Sequence, residues 1–243
     1  MIEFVPQTGS TSADLAARLR AGTFVPEGHW LVADRQTDGK GRQGREWLDG
    51  AGNFMGSAVV HLRFGDPEPA SLALVAGLAV HEAVASVVSA QADTAGGAGS
   101  SGRRLVLKWP NDVMLGAAKL AGILLERVGD SVVIGIGVNL ASAPRLPDRE
   151  AAALGASDRD AFAADLARLL DVELDRWRSF GLAPIVARWL AAAHPAGTPL
   201  AVGESGETPV TGTFAGLTDD GALRLRLADG ATRVIHAGEV RLA

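Results

Sequence analysis

The chain has 243 residues, of which 47% are hydrophobic and 21% charged, and its formal net charge at pH 7 is −5. This length suits one large domain, or one domain with a small addition, and the apolar content is enough for a substantial core. The absence of cysteine excludes disulfides, thiolate metal ligands and protein thioesters, and it fits a reducing cytoplasm, while the acidic balance disfavours nucleic acid as the main partner.

The first third of the chain predicts one helix and two strands. Residues 10–21 begin with hydroxyl residues that can cap a helix, and leucines four apart follow on one face. Residues 29–34 are apolar and end in polar turn residues, which predicts a strand. Residues 53–64 predict a second strand with a break at Gly56. The first ten residues lack the charged-then-apolar pattern of a signal peptide.

The longest apolar run, residues 71–90, predicts a central buried helix. It carries His81 and Glu82 near its middle, which disfavours a membrane span. Residues 91–103 are rich in Gly, Ser and Ala, and they predict a flexible surface loop. Residues 104–110 return to a strand.

Two strands and two helices are predicted next. Residues 119–128 and 131–140 are apolar strands, and the Gly-Asp pair between them predicts a two-residue hairpin turn. Residues 157–180 start with a capping serine and an acidic first turn, and apolar residues follow at helical spacing. They predict an amphipathic helix, and residues 182–193 predict another.

The pattern changes after residue 194. Short alternating segments in residues 197–243 predict a small β-barrel of roughly five strands. Its turns are expected at Gly203, Gly206, residues 219–221 and residues 229–230. The sequence therefore predicts two domains, residues 1–194 and residues 195–243.

The stretch GKGRQGREW at residues 39–47 has the spacing G-x-G-x-x-G of a dinucleotide-binding turn. That turn needs a helix after the glycines and an acidic residue about 20 positions further on, and neither is present. The glycines instead allow a loop to fold over a ligand, and Arg42 and Arg45 supply planar donors for phosphate or carboxylate. Trp47 can stack on an aromatic ring such as adenine. The stretch predicts either this anion-binding loop or a solvated basic loop.

The segment KWPND at residues 108–112 places polar residues at the end of a predicted strand. Pro110 stops the strand, so Asn111 and Asp112 emerge where α/β sheets usually bind ligands. An ordinary Asn-Asp turn is the alternative.

Two later segments place polar residues in apolar strands. In KLAGIL (residues 119–124), the ammonium of Lys119 lies beside buried surface and needs a partner, and Gly122 leaves room for a ligand. The alternative is a lysine that extends to solvent. In GIGVNL (residues 135–140), Asn139 is a polar residue near the end of an apolar strand that contains two glycines.

Together and in this order, these segments resemble the catalytic domain of the biotin protein ligases. The resemblance includes GSTS at residues 9–12 and a C-terminal barrel ending in HAGEVRL, so it spans nearly the whole chain. It implies an α/β (α+β) fold with a mixed β-sheet flanked by helices, of the class II synthetase-like type, followed by an SH3-like β-barrel. It also implies a ligase that forms a C–N bond. Biotin and ATP give biotinyl-5′-AMP, and the biotinyl group then passes to a lysine of a biotin carboxyl carrier domain.

The resemblance implies a role for individual residues. The implied biotin-binding residues are Ser10, Thr11, Gln36, Gly39, Lys40 and Gly122. The residues implied around the phosphate and nucleotide are Arg42, Arg45, Trp47, Asn111, Lys119 and Asn139. The implied catalytic residues are Lys119, Arg42, Arg45 and Asp112, with Asp112 either orienting or deprotonating the acceptor amine. Lys40 stands where some relatives carry arginine, and Ser12 stands where a small amide residue is frequent.

The implied chemistry is mainly electrostatic. A carboxylate with a pKa of about 4 to 5 is ionised at neutral pH and needs no base. The barrier lies in bringing this anion to a polyphosphate, which positioned cations and Mg²⁺ make easier. A glycine-rich loop that closes over the adenylate would protect this mixed anhydride from water. The five histidines show no metal-ligand spacing, so no metal site is expected on the chain and Mg²⁺ is expected to arrive with ATP.

Other functions stay open at this level. A lipoate ligase would share the catalytic fold, a biotin or nucleotide sensor would bind without turnover, and an NAD-dependent oxidoreductase is disfavoured by the missing helix. Only nine residues precede Ser10, so no N-terminal DNA-binding domain and no repressor role are expected. We expect a cytoplasmic protein with no membrane or DNA partner. Exposed strand edges would allow a weak homodimer or pairing with the carrier, and the sequence does not decide between them.

Overall fold

The computed structural model describes residues 1–48, 50–94, 104–146, 150–155, 157–203 and 208–242, with only the backbone described at residues 92–94. The strands of the main sheet are β1 (Ile2–Val5), β2 (Trp30–Ala33), β3 (Phe54–His61), β4 (Leu105–Lys108), β5 (Asp112–Leu115), β6 (Ala118–Val128) and β7 (Ser131–Val138). The helices are α1 (Thr11–Arg20), α2 (Leu72–Thr94), α3 (Arg159–Phe180) and α4 (Ala183–Ala192). The strands of the second sheet are β8 (Pro199–Gly203), β9 (Val210–Leu217), β10 (Leu223–Arg226), β11 (Thr232–Ile235) and β12 (Glu239–Leu242).

The main sheet is mixed, as predicted, with the strand order β1-β2-β3-β7-β6-β5-β4. β1 lies parallel to β2, and every other neighbouring pair is antiparallel. β6 and β7 pair directly across residues 129–130, with Val128 opposite Ser131. The predicted two-residue hairpin is therefore confirmed.

Helices cover both faces of this sheet. Because successive side chains of a strand point to opposite faces, Ala58 and Val60 of β3 join the large core formed with α2, α3 and α4. Val59 joins a smaller core with Leu15 of α1. The segment Pro69–Gln91, which contains most of α2, is apolar and long enough to cross a membrane by length and composition alone, yet 61% of the apolar 18-residue window within it is buried inside the protein. The prediction of a buried central helix is confirmed.

Several predicted boundaries were wrong for local reasons. β3 has no break at Gly56, because that residue pairs with Val32 on one side and Ile136 on the other. α2 continues to Thr94, four residues into the predicted loop, and the rest of that loop lies outside the described residues. α3 is capped by Asp158, whose Oδ1 accepts hydrogen bonds from two backbone N–H groups, and not by the serine before it.

Two strands of the main sheet were not predicted. β1 and β5 have four residues each, and neither was assigned from the sequence. β5 begins at Asp112, so the KWPND segment is a tight connection between two antiparallel strands. Its Trp109–Pro110 peptide bond is cis.

The second sheet has the strand order β11-β10-β9-β8-β12 and is antiparallel throughout. This is the SH3-like fold with five short strands that the sequence predicted. Turns occur at residues 219–221 and 229–230, whereas Gly206 lies outside the described residues. α4 ends at Ala192 and β8 begins at Pro199, and the domain boundary near residue 195 stays a prediction.

Candidate active site

A cleft of about 680 Å³ lies beside the N-terminus of α1 and between the two sheets. It brings together residues from segments that are far apart in the sequence. Residues of the predicted site that line it are Ser10, Thr11, Gln36, Lys40, Arg42, Arg45, Trp47, Asn111, Asp112, Lys119 and Gly122. Lining residues with no predicted role include Ser12, Ser57, Lys108, Glu239 and Val240.

One end of the cleft is an uncharged hydrogen-bonding network at the start of α1. The Thr11 backbone N–H and hydroxyl donate to Gln36 Oε1 at 2.8 and 3.0 Å. Thr11 Oγ1 lies 2.8 Å from Ser57 Oγ, and Ser10 Oγ lies 3.1 Å from Ser12 Oγ. All five side chains are buried. Burial holds them in one arrangement, because buried polar groups are costly without partners.

Ser57 was missed by the sequence reasoning. It sits in β3 between apolar neighbours and is fully buried. The only signal for it was a small polar residue inside an apolar strand, which usually indicates local packing. Its partner Thr11 lies 46 positions earlier in the chain.

The GKGRQGREW stretch folds back on itself. Gly41 N–H donates to Arg45 O at 2.7 Å, and Trp47 N–H donates to Gly39 O at 2.8 Å. Gln43 and Gly44 both have a positive φ, of 56° and 71°, in the left-handed region that glycine adopts readily. The next regular element of the described chain is the strand β3, so this is not the strand-to-helix turn of a dinucleotide site.

Trp47 lies on the glycines of the two central strands. A Cβ added to Gly137 would come within 2.3 Å of Trp47 Cε2, and one added to Gly122 within 3.1 Å of Cζ3. The two glycines therefore make room for the indole. Lys119 Nζ lies 5.7 Å from the centre of its ring. The stacking of Trp47 on adenine stays a prediction.

Asp112 lies between two lysines at the floor of the cleft. Its Oδ1 is 2.6 Å from Lys119 Nζ, and its Oδ2 is 2.8 Å from Lys108 Nζ. Burial by itself would raise the pKa of Asp112, but the charges of Lys119 and Lys108 outweigh burial and hold that pKa well below its usual range. Asp112 is therefore ionised throughout the neutral range.

The second sheet reaches the cleft through the residues around the start of β12. The Arg42 guanidinium donates to Asn111 Oδ1 at 3.1 Å and to the Gly238 carbonyl at 3.3 Å. Arg45 donates to Glu239 Oε1 at 2.5 Å. Burial lowers the pKa of Arg42, and the charge of Asp112 opposes that change. Both arginines of the glycine-rich loop are thus fixed in part by the C-terminal sheet.

Two predicted residues do not line the main cleft. Gly39 lies just behind it, where an added Cβ would come within 3.2 Å of Gln36 Nε2. Asn139 lines an adjoining recess of about 510 Å³ shared with Arg45, Trp47 and Lys119. Its Nδ2 donates to the Ala152 carbonyl at 3.0 Å. Its buried Oδ1 has no hydrogen-bond partner within the described part of the chain.

No group of three or more His, Cys, Asp or Glu side chains that could hold a metal ion occurs in the part of the chain that the structure describes. Asp112 and Glu239, the carboxylates among the described residues that line the cleft, are already paired, Asp112 with two lysines and Glu239 with Arg45.

Two family models match this chain. The biotin/lipoate A/B protein ligase family matches residues 6–139, and the biotin protein ligase C-terminal domain matches residues 202–242. A biotin–[acetyl-CoA-carboxylase] ligase of Paracoccus denitrificans is 38% identical over 96% of this chain and 97% of its own length. A biotin–[acetyl-CoA-carboxylase] ligase of Mycobacterium tuberculosis is 35% identical over 98% of this chain and 88% of its own length. The structure of a biotin protein ligase from Aquifex aeolicus in complex with biotin and ATP aligns over 100% of this chain and 98% of its own, with a TM-score of 0.80 and 26% identity.

Proposed function

The chain belongs to the biotin/lipoate A/B protein ligase family and, within it, to the biotin protein ligases, and we propose that it joins biotin to ATP and transfers the biotinyl group to a carrier lysine. One observation carries the proposal: a single cleft has an uncharged polar network at one end and a cluster of cations at the other. This arrangement matches a ligand with a neutral polar head and an ionised carboxylate.

The buried polar network is proposed to bind the biotin head group. Its ureido ring offers two N–H donors and one carbonyl acceptor, and the hydroxyls of Ser10, Thr11 and Ser57 can serve either kind of group. Gln36 fixes Thr11 through two hydrogen bonds. The Gly122 backbone would lie along the ligand, and Lys40, half-exposed beside Asp38, would lie at the mouth of the cleft.

The cations are proposed to catalyse adenylation. One carboxylate oxygen of biotin attacks the α-phosphorus of ATP, an O–P bond forms, the bond to the β-phosphate breaks, and pyrophosphate leaves. Arg42, Arg45 and Lys119 would hold the two anions together and stabilise the charge that gathers in the transition state. Mg²⁺ would be held by the phosphates of ATP and would neutralise part of their charge.

The adjoining recess is proposed to bind the nucleotide base and ribose. The buried, unpaired Oδ1 of Asn139 supports this, because a buried acceptor without a partner is costly and a ligand N–H or O–H would satisfy it. Trp47 would rotate away from Gly122 and Gly137 and stack on the adenine. Asn111, which donates to the Ile123 carbonyl at 2.6 Å, would fix Arg42 beside the phosphate.

In the second step the ε-amine of the carrier lysine attacks the acyl carbon of biotinyl-5′-AMP. An amide C–N bond forms, the acyl C–O bond breaks, AMP leaves and the attacking nitrogen releases a proton to solvent. The proposed role of Asp112 is to position Lys119 and to attract the incoming amine, not to remove its proton. A carboxylate whose pKa is held well below the usual range is too weak a base for that task.

The proposed experiment is pyrophosphate exchange into ATP, run separately with biotin and with lipoate. We expect exchange with biotin and none with lipoate. Exchange with lipoate alone would replace this proposal with a lipoate ligase, and tight biotin binding without exchange would replace it with a sensor. Transfer to a purified biotin carboxyl carrier domain, followed by avidin blotting, tests the second step.

We place the reaction in the cytoplasm, where ATP and the carboxylase carriers are found. A weak homodimer stays a prediction that analytical ultracentrifugation checks.

A further inference from the structure

Lysine is used sparingly in this chain, and always at the cleft. The sequence has twenty arginines and three lysines, and the three lysines, Lys40, Lys108 and Lys119, all line the cleft. Lys40 and Lys119 have roles in the proposed reaction. Lys108, in β4, has none so far, although its side chain is only 15% exposed.

Lys108 is held from two sides. Its ammonium lies 2.8 Å from Asp112 Oδ2 and donates to the Val240 carbonyl of β12 at 2.9 Å. Its backbone pairs with that of Asp112 in the short hairpin of β4 and β5. A compact ammonium with three donors suits two partners in different directions better than the planar fork of arginine does. Lys108 therefore cannot move away from Asp112 without breaking a contact with the second sheet.

Asp112 of β5 thus has two cationic partners, the fixed Lys108 of β4 and Lys119 of β6. Lys119 of β6 contacts the other carboxylate oxygen at 2.6 Å. In the proposed reaction Lys119 must give up at least part of this contact in order to reach the phosphate. If Lys119 were the only counter-charge of Asp112, its departure would leave a buried carboxylate unpaired, which is strongly unfavourable.

We propose that Lys108 is a positioning residue that keeps Asp112 charged and in place while Lys119 leaves it for the phosphate of ATP. The inference rests on the proposed adenylation. In this scheme Lys108 acts through Asp112 and not on substrate, since two of its three N–H donors already have protein acceptors. Because Lys108 stays paired with Asp112, Lys119 can move to the phosphate without leaving the Asp112 carboxylate unpaired.

The other charged groups around this pair do not replace Lys108. Within the described parts of the chain, Arg42 is the other cation whose charge interacts with Asp112, but it is already bound to Asn111 and Gly238. His194 lies on the far side of Lys108, where burial and the charges of Lys108 and Arg104 lower its pKa. It is therefore neutral at pH 7 and supplies no counter-charge.

The test measures the rate of biotin-dependent pyrophosphate exchange by Lys108→Met over a range of pH. At each pH this rate is divided by the rate of the unmutated protein, which gives the exchange ratio. Without Lys108, Asp112 has to take up a proton when Lys119 leaves. The competent state then needs one proton, so we expect the ratio to fall about tenfold for each pH unit above the new pKa. Lys108→Arg, which keeps the charge, should restore a ratio that does not change with pH.

A second variant keeps the test decisive if Lys108→Met folds poorly. In Lys108→Met combined with Asp112→Asn no buried carboxylate is left, so we expect a folded protein whose exchange ratio is independent of pH. Folding is checked by thermal unfolding and by biotin binding. A constant ratio in Lys108→Met, or the same slope in the double variant, would overturn the inference. Absence of exchange in the unmutated protein would instead overturn the proposed function.

Discussion

Lys119→Ala is the sharpest test of where the phosphate site lies. Lys119 is 18% exposed, contacts Asp112 at 2.6 Å and borders both the main cleft and the adjoining recess. If it stabilises the charge of the adenylation transition state, its removal should lower the exchange rate about 10²- to 10³-fold, or about 2.7 to 4 kcal/mol.

The same substitution should have a limited effect on folding. Removing one partner of a buried ion pair is severe when the other charge is left alone, but Asp112 keeps Lys108 at 2.8 Å. We therefore expect a loss of no more than about 3 kcal/mol in the free energy of unfolding, the upper end of the range for one charged hydrogen bond.

The assay is biotin-dependent pyrophosphate exchange, with urea unfolding measured on the same preparations. Arg224→Ala serves as the matched control, because Arg224 is an exposed cation on β10 that lines neither recess. We expect it to match the unmutated protein in both measurements. Exchange by Lys119→Ala at the unmutated rate would show that the phosphate is bound elsewhere. A loss of stability large enough to unfold the variant would show that Lys119 has a structural role.

Three further outcomes are expected. Ser57→Ala removes the hydroxyl paired with Thr11, so biotin affinity measured by calorimetry should fall about tenfold, equivalent to about 1.4 kcal/mol. Glu239→Gln weakens the hold on Arg45, so the KM for ATP should rise several-fold while biotin affinity stays the same. The hydrogen bonds from Arg178 outweigh burial and lower the pKa of Glu27 from 4.5 to about 2. Ionised Glu27 therefore stabilises the fold above pH 4.5 by up to about 3 kcal/mol, and this stabilisation is lost as the pH falls toward 2. The difference in unfolding free energy between the unmutated protein and Glu27→Gln should shrink over that pH range.

The sequence predicted the segments of the site better than their arrangement. GKGRQGREW, KWPND and KLAGIL are local patterns, and their unusual residues are visible without a structure. Ser57 and Lys108 were not assigned, because a serine in an apolar strand and a lysine at the end of a strand have ordinary explanations. Their significance comes from partners on other elements, Thr11 and Val240, which no local spacing reveals.

The contribution of the second sheet was the part least accessible to prediction. Gly238, Glu239 and Val240 each accept a hydrogen bond from a cation of the cleft, across 196, 194 and 132 positions of sequence. A barrel could be predicted from alternating residues and turns, since those are local. Which of its strands faces the main sheet depends on packing between the two sheets, and the alternation of β12 carries no information about that packing.

The cations of the cleft also bear on how the acceptor amine loses its proton. A free lysine side chain has a pKa of about 10.4, so only about one in a thousand is neutral near pH 7.4. Nearby positive charges disfavour a second ammonium and lower the pKa of an incoming amine. Arg42, Arg45, Lys108 and Lys119 outnumber the carboxylates of Asp112 and Glu239, so the site proposed to stabilise the adenylate also favours the neutral, nucleophilic amine. Transfer from preformed biotinyl-5′-AMP should then accelerate steadily with pH up to the lowered pKa of the amine. A transfer rate that is already independent of pH near 6 would require a protein base, and Asp112, ionised between two lysines, cannot be that base.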